Sequence, residues 1–288
     1  KPKALITGIK GFTGRYVAAE LRAHGWDVWG VGSQQPGPED SHYHCMDLLD
    51  APGLSAVVAD VQPDVVLHLA AIAFVGHGDA DAFYRVNLLG TRNLLAALAG
   101  AQHQPGCVLV ASSANVYGNA TEGVLTEATP PNPANDYAVS KIAMEYMARL
   151  WMDKLPIVIA RPFNYTGVGQ TEDFLLPKMA AHFRNRAAAI QLGNLDVWRD
   201  FSDVRSVAQA YRRLLQVCPA GATVNVCSGQ THSLREVLHM MERISGHTLD
   251  VQVNPAFVRA NEVRSLSGNP DKLLSLIGDW QVTALEDA

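Results

Sequence analysis

Several features that are typical of other protein classes are absent from the sequence. Its 288 residues contain no apolar run near the roughly 20 residues that a membrane-spanning helix needs. The net charge of -5 leaves no basic excess for binding a nucleic-acid backbone. The sequence also enters its first strand-like run, KALIT, without an apolar leader. We therefore expect a cytoplasmic protein that binds neither a membrane nor nucleic acid.

The spacing of the cysteines and histidines does not indicate a metal centre. The four cysteines are Cys45, Cys107, Cys218 and Cys227, and they form no CxxC pair. The ten histidines show no HxxxH or HExxH spacing, although His42 and His44 alternate along one strand-like run. We expect reduced cysteines and no bound metal.

The sequence does contain a regular alternation of strand-like and helix-like segments. The strand-like runs include KALIT, DVWGVG, DVVLHLA, CVLVASS and PIVIARPF, and the helical stretches lie at 13–24, 51–61, 80–99 and 137–151. Runs such as DVVLHLA are apolar at consecutive positions, as expected for parallel strands that helices cover on both faces. The pattern predicts an α/β fold with a doubly wound, Rossmann-like parallel sheet.

A glycine-rich loop joins the first strand to the first helix. Gly8, Gly11 and Gly14 are spaced three apart in TGIKGFTG. Glycines in such a loop allow a tight turn and a close approach of the backbone to a pyrophosphate, which the N-terminus of the next helix attracts. Because a strand precedes this loop and a helix follows it, the motif predicts a dinucleotide site.

The residues after the second and third strands leave the choice of dinucleotide open. Gly32, Ser33 and Gln34 include neither an acidic residue for a ribose 2′-hydroxyl nor an arginine for a 2′-phosphate. We count Ser33 among the cofactor-binding residues and keep both NAD(H) and NADP(H), with a slight preference for NADP(H). Asp47 could bind the adenine amine or cap a turn.

The alternation becomes less regular after residue 165, which predicts two lobes. We expect 1–165 to form the dinucleotide-binding lobe, with 201–228 returning to it. A smaller C-terminal α/β lobe for the substrate would comprise 166–200 and 229–288.

Two further stretches carry candidate acid/base chemistry. Tyr137 and Lys141 stand four apart in NDYAVSK, hence on one face of a helix. A free tyrosine titrates near pH 10, but a nearby ammonium group together with an oxidised nicotinamide favours the phenolate. Upstream, SSANVYG follows the apolar run CVLVA and provides the hydroxyls of Ser112 and Ser113.

Seven motifs cover nearly the whole chain: TGIKGFTG, HLAA at 68–71, VNLLGT at 86–91, SSANVYG, YAVSK, ARPFN and RDFSDV. Together they resemble the extended short-chain dehydrogenase/reductase family, whose members act on nucleotide-linked sugars. The resemblance implies that Ser113 holds the substrate carbonyl while Tyr137 transfers a proton. Lys141 would lower the tyrosine pKa and hold a nicotinamide ribose hydroxyl. Ser112 points to the other face of its strand and is interpreted as structural.

The resemblance also implies a set of residues around the cofactor. They are Gly8, Gly11, Phe12, Thr13, Gly14, Ser33, Asp47, Leu48, Leu69, Ala70, Ala71, Tyr137 and Lys141.

One position separates the sequence from the dehydratases of this family. These carry a glutamate two residues before the tyrosine of the VYG motif, where this chain has Asn115. An amide does not titrate near neutral pH and cannot act as that base. Dehydration is therefore disfavoured.

The distal segments QLGNLDVWRDFSDVRSVAQAY, TVNVCSGQ and VRANEVRSLSGN resemble those of GDP-4-keto-6-deoxy-D-mannose reductases. This resemblance implies reduction of the C4 ketone of a GDP-linked 4-keto-6-deoxyhexose, giving GDP-D-rhamnose. It also implies a homodimer that forms through the helices at 80–99 and 137–151. The implied substrate residues are Ser113, Asn164, Lys178, Arg199, Arg259 and Glu262. Among these, Asn164 and Arg199 would hold the diphosphate, for which the planar fork of an arginine is suited.

Alternative functions remain open at this stage. A sugar-nucleotide 4-epimerase uses the same serine, tyrosine and lysine but retains its NAD. A 4,6-dehydratase or a non-catalytic NAD(P)-binding regulatory subunit is a weaker alternative. The stereochemistry at C4 is also open, so the product could be a 6-deoxytalose instead of a rhamnose.

Overall fold

The computed structural model of the chain describes residues 1–73, 78–118, 123–258 and 264–288. Its strands are β1 (Lys3–Thr7), β2 (Asp27–Gly32), β3 (Tyr43–Cys45), β4 (Val65–His68), β5 (Cys107–Ala111), β6 (Gly123–Leu125), β7 (Ile157–Pro162), β8 (Asn164–Thr166), β9 (Ala189–Leu192), β10 (Trp198–Asp203), β11 (Thr223–Val226), β12 (Thr231–Ser233), β13 (Asp250–Val253) and β14 (Ser265–Gly268). Its helices are α1 (Phe12–Ala23), α2 (Ala51–Val61), α3 (Ala80–Ala82), α4 (Thr91–Gly100), α5 (Asp136–Arg149), α6 (Leu175–Arg184), α7 (Val204–Val217), α8 (Leu234–Ser245) and α9 (Asp271–Ile277).

The largest sheet has seven parallel strands in the order β11-β7-β5-β4-β1-β2-β3. One face packs on α1, α7 and α9, with Val17, Tyr211 and Leu273 in its apolar cluster. The other face packs on α2, α4 and α5, with Leu54 and Leu94 in its cluster. Helices thus cover both faces, and the expected doubly wound fold class is confirmed.

The central strands owe their position to continuous apolar sequence. Val66, Val108 and Val158, on β4, β5 and β7, are fully buried. Burying such a side chain stabilises the fold by about 1.5 to 3 kcal/mol. A strand with apolar residues on both faces is stable only between two helical layers, which is the environment that the sheet provides.

The strand order reverses direction beside β1. From β1 the chain adds β2 and β3 on one side, whereas β4, β5 and β7 lie on the other. A crevice opens at the carboxyl ends of the strands where such an order reverses. The loop after β1 and the residues after β4 and β5 all lie at this edge, so the fold brings the glycine loop and SSANVYG to one crevice.

A second, smaller core lies in the distal half. It is formed by apolar residues of α6, β9 and α8 and their neighbours: Leu176, Met179, Phe183, Ile190, Leu192, Leu234, Val237, Leu238 and Leu249. Nearby, β10 pairs with β8, β12 and β14, and β14 pairs with β6. After β10, α7 leads back to β11, which pairs with β7 in the large sheet. The residue boundaries of the two lobes remain a prediction.

The expected helix at 80–99 is not uniform. The short α3 runs into a π-helix, Phe83–Gly90, which continues into α4. Over eight residues the apolar spacing of a π-helix is too close to that of an α-helix to be recognised in the sequence. Among the described residues, no helix is long and apolar enough to span a bilayer.

Gly118 closes the VYG turn in a conformation that only glycine adopts readily. Its φ is 72° and its ψ is -160°. A Cβ at this position would lie 1.8 Å from the backbone oxygen of Asn132, which is a severe steric clash. The turn that follows Ser113 therefore depends on the missing side chain.

We expect Gly118→Ala to destabilise the protein more than the matched change Gly221→Ala. Both glycines have positive φ, which costs an alanine about 1 kcal/mol or more. A Cβ on Gly221, however, would meet no atom within 4 Å. Urea denaturation monitored by circular dichroism measures both variants, and equal losses would contradict the steric argument.

Candidate active site

Ser113 stands at the end of β5, where the chain turns into the 3-10 helix Ala114–Tyr117. Its oxygen accepts two hydrogen bonds from Asn115, one from the backbone N–H and one from Nδ2, both at 3.1 Å. Ser113 is also close enough to the Tyr137 hydroxyl to favour its ionised form, which lowers the phenol pKa. Asn115 therefore holds the hydroxyl that follows β5 in place beside the phenol.

Tyr137 lies in the first turn of α5. The side chain of Asn135 caps this helix by accepting a hydrogen bond from the N–H of Ala138 at 2.8 Å. The Tyr137 ring meets the edge of Phe83 at 5.9 Å between centroids. The cap and this contact fix where the phenol points.

Burial raises the pKa of Tyr137 to about 12, although the hydrogen bond from Ser113 opposes the shift. The sequence analysis expected Lys141 to lower this pKa. In the structure burial outweighs any such effect, so the phenol carries its proton near neutral pH. A protonated phenol can act as a proton donor.

Lys141 follows Tyr137 by one helical turn. Its Nζ donates a hydrogen bond to the carbonyl oxygen of Ala111 at 2.9 Å and lies 6.0 Å from the centre of the Tyr137 ring. Burial lowers the lysine pKa to about 8, while the negative charge of Glu145 raises it. The structure thus brings Ser113, Tyr137 and Lys141 together at one end of β5.

A buried ion pair beneath these residues was missed by the sequence analysis. Glu145, fully buried, accepts hydrogen bonds from Nε and Nη2 of Arg161 at 2.9 and 2.6 Å. Ser112 donates a third hydrogen bond to Glu145 at 2.5 Å. Two sequence signals were available: Glu145 follows Lys141 by four residues, and Arg161 interrupts an apolar strand. The pair joins α5 to both β5 and β7.

His68 connects Thr7, at the end of β1, to Thr91, at the start of α4, through two hydrogen bonds of fixed direction. Thr91 donates to the carbonyl oxygen of Asn87, so its oxygen must accept from Nε2 of His68, at 2.7 Å. The other ring nitrogen, Nδ1, then accepts from Thr7 at 2.6 Å, and Thr7 accepts from the N–H of Ala70. The geometry therefore requires a neutral imidazole with its proton on Nε2. Burial lowers the pKa of His68 to about 3, in agreement.

Asn87, in the π-helix, fastens the loop after β4 to α5. Its side chain accepts from the N–H of Ile72 at 2.9 Å and donates to the carbonyl oxygen of the same residue. It also donates to Ser140, which in turn donates to the carbonyl oxygen of Tyr137. A displacement of this loop would therefore be transmitted to the turn that carries the tyrosine.

The glycine loop has the close backbone contacts that a phosphate cradle needs. A Cβ on Gly8, whose φ is 74°, would lie 2.9 Å from the N–H nitrogen of Ala70. A Cβ on Gly14 would lie 2.2 Å from the oxygen of Gly8. Gly11 precedes α1, which has neither a capping side chain nor an acidic residue in its first turn. The first N–H groups of α1 can thus bind an anion, and the loop fits a dinucleotide pyrophosphate.

Two of the expected cofactor residues contact Tyr165, which the sequence analysis did not single out. The hydroxyls of Thr13 and Tyr165 share a hydrogen bond at 2.7 Å. The ring of Phe12 stacks on Tyr165 with 6.2 Å between centroids. The start of α1 is thus tied to β8 in the distal half.

The remaining cofactor candidates lie after β2, β3 and β4. Ser33 is exposed, and Leu69, Ala70 and Ala71 are half-buried. Asp47 is exposed and accepts a hydrogen bond from the N–H of Leu49 at 2.9 Å, as a turn aspartate does. Leu48 is buried against Gly90.

A cavity of about 820 Å³ lies beside the loop after β2. Lys10, from the glycine loop, lies 2.6 Å from Asp40 and donates to the carbonyl oxygen of Gln35. Arg15 and Gln34 also line the cavity. The loop after β2 contains no lysine or arginine of its own, but Lys10 and Arg15 bring basic groups to the cavity beside it.

The expected substrate residues are divided between two places. Asn164 is exposed on β8, opposite Phe201 of the adjacent β10, and Arg199 is two residues before Phe201. Arg199 donates to the carbonyl oxygen of Trp198 at 2.8 Å. Lys178 lies elsewhere, 5.3 Å from the ring centre of Phe257, in a cavity of about 350 Å³. The predicted Arg259 and Glu262 lie outside the described residues.

The arrangement of glycine loop, tyrosine and lysine agrees with a comparison against known families. Residues 4–227 match the NAD dependent epimerase/dehydratase family. The chain belongs to this family. It is thus an NAD(P)-dependent oxidoreductase of the extended short-chain dehydrogenase/reductase type, and this part of the sequence interpretation is confirmed.

Two curated relatives match almost the full chain. The GDP-6-deoxy-D-talose 4-dehydrogenase of Aggregatibacter actinomycetemcomitans is 33% identical over 98% of this chain and 94% of its own length. The GDP-6-deoxy-D-mannose reductase of Pseudomonas aeruginosa is 36% identical over 97% of this chain and 91% of its own length.

Two solved structures share the fold throughout. A protein of Burkholderia cenocepacia J2315, provisionally described as an epimerase, is 55% identical with a TM-score of 0.94, covering 100% of this chain and 95% of its own. RMD from Pseudomonas aeruginosa, complexed with NADPH, is 33% identical with a TM-score of 0.86, covering 99% of this chain and 95% of its own.

The buried neutral His68 predicts a specific pH dependence of stability. Its folded pKa of about 3 lies below the ordinary value of 6.5, so between these two values the unfolded chain binds one more proton. Stability is therefore lost as the pH falls through this window, by about 1.4 kcal/mol per pH unit. We expect His68→Gln to be less stable at neutral pH but to lose less on acidification.

The measurement is the free energy of unfolding between pH 7 and 5 for the wild type and His68→Gln. The control is His103→Gln, which removes a half-exposed histidine. A stability gap between wild type and His68→Gln that stays constant with pH would show that the imidazole is not held neutral.

Proposed function

We propose that this enzyme reduces the C4 ketone of GDP-4-keto-6-deoxy-D-mannose with NAD(P)H and forms GDP-D-rhamnose. The observation that carries the proposal is the position of Ser113, held by Asn115, beside the buried Tyr137, so that two hydroxyl donors can meet at one carbonyl oxygen. The names of the curated relatives support a GDP-linked 6-deoxyhexose as substrate.

The dinucleotide supplies a hydride when it is bound. Ser113 and Tyr137 hold the C4 carbonyl oxygen by donating hydrogen bonds to it. As negative charge develops on that oxygen, Tyr137 transfers its proton and is left as a phenolate. The ammonium group of Lys141 stabilises this phenolate, and the proton is then replaced from solvent.

The residues after Ser113 argue against dehydration. Asn115 donates to Ser113 and has no titratable proton with which to act as a base. The buried carboxylate on the same side of α5, Glu145, is fully engaged by Arg161 and Ser112.

A 4-epimerase is the second candidate, because the Burkholderia cenocepacia protein is provisionally described as an epimerase. An epimerase would use Ser113, Tyr137 and Lys141 in the same places but would retain NAD and show no net redox change. A regulatory subunit without activity is a weaker candidate, since it would not need all three residues.

For the cofactor we propose NADPH over NADH. Lys10 in the cavity beside β2 is already paired with Asp40, but the cavity is also lined by Arg15, whose planar guanidinium suits a 2′-phosphate. The RMD structure that resembles this chain contains NADPH.

The two proposed lobes bind different ligands. Residues 1–165 and 201–228 bind the dinucleotide, whereas 166–200 and 229–288 hold the nucleotide sugar, with Asn164 and Arg199 at the boundary.

We further propose a homodimer that forms through the helices at 80–99 and 137–151. These helices expose apolar side chains, namely Leu89, Tyr146 and Leu150, and Leu150 is 77% exposed. Sedimentation equilibrium at micromolar concentration is expected to give twice the chain mass, and Leu150→Glu is expected to shift it towards the monomer because the new charge would be buried at the interface. A monomeric wild type would exclude the dimer.

The central test is coenzyme oxidation with freshly prepared GDP-4-keto-6-deoxy-D-mannose. Stoichiometric oxidation of NADPH is expected, followed by nicotinamide absorbance. Tyr137→Phe should lower kcat by about 10² to 10⁴-fold, because it removes the proton donor, while coenzyme binding is retained. Tyr146→Phe, an exposed tyrosine on the same helix, is the matched control.

NMR analysis of the product determines the configuration at C4 and so distinguishes GDP-D-rhamnose from GDP-6-deoxy-D-talose. The coenzyme preference follows from comparing the rate of oxidation of NADH with that of NADPH. Copurifying NAD without net oxidation, together with isomerisation of a nucleotide hexose, would replace the reductase with the epimerase.

A further inference from the structure

Asn115 does more than remove the glutamate expected of a dehydratase, because it also contacts Ser113. Its backbone N–H and its Nδ2 both donate to the oxygen of Ser113. A serine oxygen has two acceptor sites and one hydrogen. Asn115 therefore occupies both acceptor sites, and the hydrogen of Ser113 is the only part of that hydroxyl left for another partner.

We propose that Asn115 is a positioning residue that directs the Ser113 hydrogen onto the substrate carbonyl oxygen. Because Ser113 can no longer accept, the only group that it can offer to the neighbouring Tyr137 oxygen is its hydrogen. The hydrogen of Tyr137 is then also unused by Ser113. Both donors are thereby ready for one acceptor that arrives between them, which is the geometry a ketone needs.

The side-chain type at position 115 is decisive for this effect. An ionised carboxylate cannot donate and would itself attract the Ser113 hydrogen, leaving an acceptor site on the serine open. Asn115 is also exposed, so the fold does not need it for its core. The inference rests on the proposed reduction, because only a carbonyl substrate makes use of two convergent donors.

Other charged or titratable groups face the same centre. Lys141 lies on the same helix as Tyr137, and Glu145 lies one turn further on. Tyr165 on β8 raises the pKa of Tyr137, and on the other elements Tyr137 raises the pKa of Tyr211 on α7 while Lys141 lowers that of His68 on β4. None of them contacts Asn115 among the hydrogen bonds of the described residues, so changes at position 115 act through Ser113.

Steady-state kinetics between pH 5 and 8 test the proposal with Asn115→Ala and Asn115→Asp. Asn115→Ala is expected to lower kcat about tenfold at every pH, with KM little changed, because one directing hydrogen bond is lost. Asn115→Asp is expected to lose at least as much as Asn115→Ala between pH 5 and 8. An exposed aspartate is ionised throughout this range, so it cannot donate to Ser113 as the amide does.

The charge control is Asn132→Asp, which places a carboxylate on an exposed residue near the same turn. It is expected to retain wild-type kcat across the pH range. A wild-type kcat in Asn115→Ala or in Asn115→Asp, or a loss that appears in KM and not in kcat, would overturn the proposal.

A substrate-independent measurement separates this inference from the proposed function. In a crystal structure of the wild type, Nδ2 of Asn115 should lie within hydrogen-bond distance of the Ser113 oxygen, and Ser113 within that of Tyr137. A wild type that shows this geometry but no reduction refutes the proposed reaction and not the hydrogen-bond arrangement. An Asn115 side chain turned away from Ser113 refutes the arrangement itself, whatever the activity.

Discussion

The active site depends on one buried ion pair, that of Glu145 with Arg161. Removing two charges from water is costly, and the cost is offset only where nearly every hydrogen-bonding position is filled. Arg161 and Ser112 together fill the carboxylate of Glu145. Losing one partner of such a pair typically costs about 3 to 5 kcal/mol, so this region tolerates little rearrangement. Because Ser112 precedes Ser113, and Lys141 precedes Glu145 by one helical turn, the pair fixes the strand end and the helix face that carry the chemistry.

A second constraint acts through neutral groups. His68 can satisfy Thr7 and Thr91 in only one tautomer, and that tautomer links the loop after β4 to the π-helix. A buried chain in which every donor has one acceptor is rigid, since any reorientation leaves a polar group unsatisfied. The glycine loop and Tyr137 are therefore held by separate networks that meet at Asn87 and Ser140.

The parts of the site that could be predicted from the sequence are those set by residues close together in the chain. The steric demands of Gly8 and Gly14 arise from neighbours in the glycine loop and the loop after β4, and the spacing of Tyr137 and Lys141 follows from one helical turn. The long-range pairs could not be predicted in this way. His68 and Thr7 are 61 residues apart, and no periodicity reports which buried polar groups will meet. The sequence alone shows that position 115 carries an amide and no titratable base, but the bond of Asn115 to Ser113 depends on the geometry of a turn that closes only at Gly118.

The π-helix has a consequence for how this enzyme could change. Phe83 packs on Tyr137, and Asn87 bonds to Ser140, so two residues of one wide helix meet one turn of α5. Each residue of an α-helix adds about 100° of rotation, and a π-helix adds less per residue. Removing a single residue from 83–90 would restore ordinary helical bonding and rotate Phe83 relative to Asn87. A one-residue length difference in this helix would therefore change how Phe83 and Asn87 meet α5 while Ser113, Tyr137 and Lys141 stay the same.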